Sequence, residues 1–148
     1  MKSPRVNLPV TIVWLLLAGH EAPGCSCLVV SPEPPEVLFA QTSDAVFSAR
    51  VVSITKLSSA ALQPADPSCP ATLIVLKVLA AWKGVHRADV VLVNDITNCA
   101  YPFELGREYL VYAYASPGGV STSVCSHTRL LSKAASALAS LGSPEVVF

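Results

Sequence analysis

Charge is scarce in this sequence. Asp, Glu, Lys and Arg together make up 14% of its 148 residues, ten acidic against ten basic, so the formal net charge is zero. Without a basic cluster there is no electrostatic footprint for nucleic acid. The familiar catalytic signatures are missing as well: no His-Glu-x-x-His, no Gly-x-Ser-x-Gly, no P-loop and no Cys-x-x-Cys occurs. The apolar run from Leu8 to Gly19 is 12 residues long, short of the ~20 that a bilayer-spanning helix needs. No later apolar segment is long and uninterrupted enough to span a membrane. Internal repeats are absent, and the only biased segment is a proline-rich loop.

The N-terminus has the marks of a secretory leader. Lys2 and Arg5 precede the apolar run, and small residues, Ala22 and Gly24, stand three and one positions before Cys25. Two other readings compete: a buried N-terminal element, and a bacterial lipoprotein signal, which also ends before a cysteine but wants Leu where Ala22 stands. Cleavage before Cys25 is the expectation, with residues 1–24 a signal peptide and residues 25–148 the mature domain. Removing Lys2, Arg5 and Glu21 with the leader leaves eight basic and nine acidic side chains on 124 residues. A chain of that size can bury one core.

All five cysteines, Cys25, Cys27, Cys69, Cys99 and Cys125, lie beyond the leader. In an oxidising compartment they read as a disulfide framework with one thiol left over. Metal binding is the alternative, but Cys-x-Cys followed by widely spaced single cysteines is not a zinc-finger spacing. Cys125-Ser126-His127 invites a thiol-and-base reading, which fails if Cys125 is bridged. Glu104 and Glu108 flank Gly106 and belong to a solvated turn. The chain is not expected to be an enzyme or to hold a cofactor of its own.

Runs rich in β-branched residues predict strands at 45–54, 72–79, 88–93, 107–114 and 120–125. Glu33 to Gln41 suits one short helix. Leu130, Leu131, Ala134, Ala137, Leu138 and Leu141 recur near helical spacing, which predicts a helix over 129–141 with Gly142 as its stop. Five short strands and a terminal helix favour a closed barrel over a sandwich, which normally has about seven strands. The expected fold is therefore mainly β: a five-stranded Greek-key barrel of the oligonucleotide/oligosaccharide-binding (OB) type, with a short N-terminal helix and a C-terminal helix.

Several segments, taken in order, carry a family resemblance: Cys25-Ser26-Cys27, Ser43-Asp-Ala-Val-Phe47, Trp82-Lys83-Gly84, Cys99 with Tyr101-Pro-Phe-Glu-Leu-Gly-Arg-Glu-Tyr-Leu-Val-Tyr112, and Ser121-Thr-Ser-Val-Cys125. Together, over residues 25–140, they resemble the N-terminal, netrin-like domain of the tissue inhibitors of metalloproteinases. The family's fold is the same five-stranded barrel. The resemblance implies bridges Cys25–Cys99 and Cys27–Cys125, with Cys69 the odd thiol. The family's third bridge has no counterpart, so a minimal, single-domain relative is implied.

The resemblance also implies a task for Cys25. In the family the mature N-terminus enters the open position of a protease's catalytic zinc, and its free α-amine and first carbonyl chelate the metal. Cys25 would bind the partner's zinc through backbone atoms, and Ser26 would point into the pocket beyond the scissile bond. Cys27, Leu28 and Val29 would extend the wedge, with Thr97, Asn98 and Cys99 flanking it. The implied partner is an extracellular zinc metalloproteinase, and zinc enters only as the target's metal. The alternatives are a secreted netrin-like binding module without inhibitory activity and a lipid-anchored envelope protein.

Overall fold

The computed structural model describes residues 25–28, 31–57, 71–94 and 99–148. The elements in chain order are helix α1 (Pro35–Thr42), strands β1 (Ala45–Lys56), β2 (Thr72–Lys83), β3 (Asp89–Asn94), β4 (Glu108–Ser116), β5 (Gly119–Ser121) and β6 (Arg129–Leu130). A 3-10 turn (Leu131–Lys133), helix α2 (Ala135–Leu141) and strand β7 (Val146–Val147) follow. The sheet runs β1-β2-β3-β5-β4, and β4 pairs back onto β1, so five strands close into a barrel. All of these pairings are antiparallel except β3 with β5, which meet in parallel at Leu92 and Val120. Among the described residues no helix is long and apolar enough to cross a membrane.

Two hydrophobic clusters explain why the first and fourth strands read as near-continuous apolar runs. Phe47, Ala49 and Val51 of β1 point inward with Ile74, Leu76 and Val78 of β2, Leu92 of β3, and Tyr109, Val111 and Ala113 of β4. The intervening residues, Val46 on β1 and Leu110 and Tyr112 on β4, face outward but are equally buried, because Phe39 of α1 and Ala134 and Ala137 cover them. Successive residues of a strand point to opposite faces. A strand covered on both sides therefore loses the apolar–polar alternation of a half-exposed one.

Short motifs join the two layers. Trp82 Nε1–H donates to Gly142 O at 2.8 Å, fixing the end of α2, while Lys83 Nζ donates to Ala40 O and Gln41 O in the last turn of α1. Gly84 follows with φ +68°, and any Cβ there would run into the carbonyl oxygen of Asp44. Only glycine allows both the backbone twist and the close approach. Asp44 in turn accepts from the Ala115 N–H through Oδ2 at 2.8 Å and donates its own N–H to Ala113 O. The Trp-Lys-Gly and Ser-Asp-Ala-Val-Phe segments are thus two halves of one junction between helices and barrel.

Two sequence expectations need correction. The helix expected over 129–141 begins only at Ala135: Arg129 and Leu130 pair with Leu110 and Tyr109 of β4, and a 3-10 turn intervenes. Leu130 packs on the barrel core and Leu131 on the helical layer, so apolar residues at helical spacing reach their cores without one continuous helix. The strand expected over 120–125 is also shorter. β5 ends at Ser121, and beyond it only Ser123 makes a bridge, to Ala100.

Candidate functional site

The sulfur knot is built where two irregular segments meet. Cys99 lies beyond the end of β3 and Cys125 beyond the end of β5. Val124 N–H donates to Cys99 O at 2.9 Å, and Ala100 pairs with Ser123. The structure joins Cys25 to Cys99, with Cα atoms 5.1 Å apart, and Cys27 to Cys125, with Cα atoms 5.3 Å apart. The bridges touch: Cys25 Sγ lies 3.6 Å from Cys125 Sγ. Residues 25–27 are thereby clamped at both ends to a pair of segments that are themselves hydrogen-bonded together.

The clamp is footed on the barrel by three hydroxyls. Thr122 Oγ1 lies 2.5 Å from Ser126 Oγ and 2.9 Å from Thr128 Oγ1, and Ser126 Oγ lies 3.0 Å from Thr128 Oγ1. Thr122 Oγ1 donates to Tyr112 O at 2.8 Å, and Tyr112 N–H donates to Thr128 Oγ1 at 3.0 Å. All three hydroxyl residues are buried. Thr122 and Thr128 satisfy the Tyr112 backbone groups of β4, which the two-residue strand β6, paired at Tyr109 and Leu110, does not reach, while Ser126 Oγ donates to Ser123 O. The loop carrying Cys125 is therefore fixed to the most buried strand of the barrel.

Cys25 is half-buried, whereas Ser26, Cys27 and Leu28 are exposed, Leu28 to 87%. Among the sequence-derived site residues the structure thus brings together Cys25, Ser26, Cys27, Leu28 and Cys99. Val29, Thr97 and Asn98 lie outside the described residues, as does Cys69. The sulfurs of Cys25, Cys27 and Cys125 lie within 4.8 Å of one another. Each is committed to a disulfide, and metal ligation by cysteine requires thiolate. For the same reason Cys125 offers no thiol nucleophile to His127.

Sequence reasoning missed the neighbourhood of His127. This residue adopts φ +68°, in the left-handed region that side chains other than glycine seldom occupy. Its ring stacks on Phe39 of α1, with centroids 5.3 Å apart and planes 6° from parallel, and meets Tyr112 edge-on. Nε2 stands 3.6 Å from Glu36 Oε1, and Arg129 Nη2 lies 2.7 Å from Nδ1. Burial, and then the Arg129 guanidinium, lower the imidazole pKa, with Glu36 opposing them. Phe39, His127 and Arg129 line, with Cys27, Cys125, Pro35 and Lys133, a hollow of about 500 Å³. No sequence signal marks it, since its walls come from α1 and from a turn some 90 residues later.

No family model matches the chain, and no curated protein matches it.

Proposed function

We propose that the chain is a secreted inhibitor of zinc metalloproteinases, in which residues 25–148, freed of the leader 1–24, form a Greek-key OB-type barrel carrying a metal-chelating N-terminus. The observation that carries this reading is the double clamp on an exposed strip. Cys25 and Cys27 are each tied to a different segment, while Ser26 and Leu28 between and beyond them face solvent. Chain termini are ordinarily poorly ordered. Fixing this one before it meets a partner lowers the ordering cost of the complex. The strand order and the parallel β3–β5 contact support the barrel type.

The chemistry follows from the terminal position of Cys25. A catalytic zinc held by three protein ligands keeps one position open for water. The α-amine released by cleavage has a pKa of about 7.7–8.0, far below that of a lysine amine, so a substantial neutral fraction can donate its lone pair near neutral pH. With the Cys25 carbonyl oxygen it would form a chelate and displace the water that attacks substrate. Ser26, small and exposed, would enter the pocket beyond the scissile bond, with Leu28 and Val29 continuing along the cleft. Thr97 and Asn98, beside Cys99, would flank the zinc from the other side. The partner is an extracellular zinc metalloproteinase, and the zinc belongs to it.

The experiment compares the secreted protein with a form carrying one added Ala before Cys25. The addition turns the amine into an amide and leaves both bridges in place. Inhibition of a zinc metalloproteinase is expected to fall by more than about a hundredfold, or roughly 3 kcal/mol. Equal inhibition by the two forms would remove the chelation model. Absence of inhibition by both would leave a netrin-like binding module, and a lipid on Cys25 would make the chain an envelope protein.

A further inference from the structure

The geometry points to a second property of the sulfur knot: it is a thiol–disulfide exchange site at which the two bridges trade partners. Cys25 Sγ and Cys125 Sγ belong to different bridges yet lie 3.6 Å apart, in sulfur–sulfur contact. Cys27, in the second bridge, is exposed. The exposed Cys27 is the point of entry, and the Cys25–Cys125 sulfur contact is the point of transfer.

Exchange proceeds by attack of a thiolate on one sulfur of a disulfide, expelling the other as thiolate. A small monothiol attacks Cys27 Sγ, forms a mixed disulfide there, and the electron pair of the broken S–S bond leaves on Cys125. The Cys125 thiolate then attacks Cys25 Sγ, 3.6 Å away in the starting structure. The Cys25–Cys125 bond forms, the Cys25–Cys99 bond breaks, and Cys99 leaves as thiolate. Attack of Cys99 on Cys27 Sγ expels the monothiol and closes Cys27–Cys99. The monothiol is recovered, two bridges are broken and two are made, and nothing is oxidised or reduced overall.

Two surrounding features favour the sequence. The hollow lined by both Cys27 and Cys125 also carries Arg129 and Lys133, and nearby cations lower a thiol's pKa and make it a better leaving group. The anchors are already joined by the Val124–Cys99 hydrogen bond and the Ala100–Ser123 pairing. Trading partners therefore asks the N-terminal strip to turn and leaves the barrel strands in place. A functional consequence rests on the inhibitor reading above: moving Cys25 from residue 99 to residue 125 re-aims the α-amine, so exchange lowers inhibition without unfolding.

The test exposes the secreted chain to reduced glutathione at mildly alkaline pH, with a Cys69→Ser form run in parallel to remove the fifth thiol. Samples are quenched in acid, blocked with N-ethylmaleimide and mapped without reduction. Trypsin cuts at Arg107, so Cys99 and Cys125 fall on separate peptides. The expected result is the Cys125 peptide joined to position 25 by fragmentation, with Cys99 first carrying maleimide and later joined to position 27, while circular dichroism stays native. Label confined to Cys125 with Cys25–Cys99 intact at every time, or no reaction before unfolding, overturns the proposal. The linkage map and the inhibition assay fail separately: exchange without inhibition removes only the proposed function, and inhibition without exchange removes only this inference.

Discussion

The barrel wall and the strip from Cys25 to Leu28 are held by different physics. Phe47, Leu110, Val111 and Tyr112 have no solvent-accessible surface, and their positions follow from burial on both faces of β1 and β4. In the strip only Cys25 is even half-buried, and two covalent bonds replace packing. A packed strand is positioned by many neighbours and yields gradually to substitution, whereas a bridged strip depends on two bonds and is released when either is cut. Perturbations that separate stability from the placement of the strip should therefore divide along this line.

The largest effect is expected in the wall. Phe47→Ala removes a fully buried ring from the barrel interior and should cost about 3–5 kcal/mol in chemical denaturation. The surviving folded molecules should keep both bridges and, under the inhibitor reading, full inhibition per folded molecule. A loss of inhibition larger than the loss of folded protein would show that core and strip are coupled more tightly than this division allows.

Replacing both Cys25 and Cys99 by Ser should act the other way. A bridge spanning 74 residues contributes about 2–4 kcal/mol through the unfolded chain. The cost in stability is thus comparable to or smaller than that of the core cavity. The local effect is greater: NMR order parameters at Ser26 and Leu28 should fall toward those of a free peptide while those of β1 and β4 stay high. Order retained at those two residues would mean that the Cys27–Cys125 bridge alone holds the strip.

The same contrast explains what could be read from the sequence. β1 to β4 were legible because strands announce themselves locally through β-branched runs, and a five-strand count favours closure. The cysteines were legible as a framework, and the pairing came from resemblance, since spacing alone permits several connectivities. Arg129 and Leu130 were misread as helical because their pairing with Leu110 and Tyr109 is a tertiary fact. The Phe39–His127 stack and the Thr122–Ser126–Thr128 hydroxyl cluster left no trace for the same reason. Thr122 and Thr128 look like ordinary loop residues until the buried Tyr112 backbone of β4 is seen to need them.

The smallest expected effect lies at the border between the two regions, where His127 joins α1 to the turn that carries Cys125. The groups facing it are Glu36 and Phe39 on α1, Tyr112 on β4 and Arg129 on β6, with Lys133 on the same hollow. Burial first, then Arg129, lower its pKa in the folded chain. At a pH above the ordinary imidazole value of about 6.5 both folded and unfolded chains hold it neutral, and it adds no pH dependence. As the pH falls from there through the lowered value, the unfolded chain takes up the proton first, so stability declines. It levels off once the folded ring is protonated too. The amplitude should be under about 1 kcal/mol, since solvent reaches the ring and screens it. Glu36, whose pKa is also lowered, withdraws its contribution only in the more acidic carboxylate range, so the two steps separate. Denaturant midpoints measured across pH should show the upper step in the native protein and lose it in His127→Gln. An upper step that survives the substitution would assign it to another group. A step of opposite sign would mean that Glu36, and not burial beside Arg129, governs the ring, and that acid tightens the turn on which the Cys125 anchor stands.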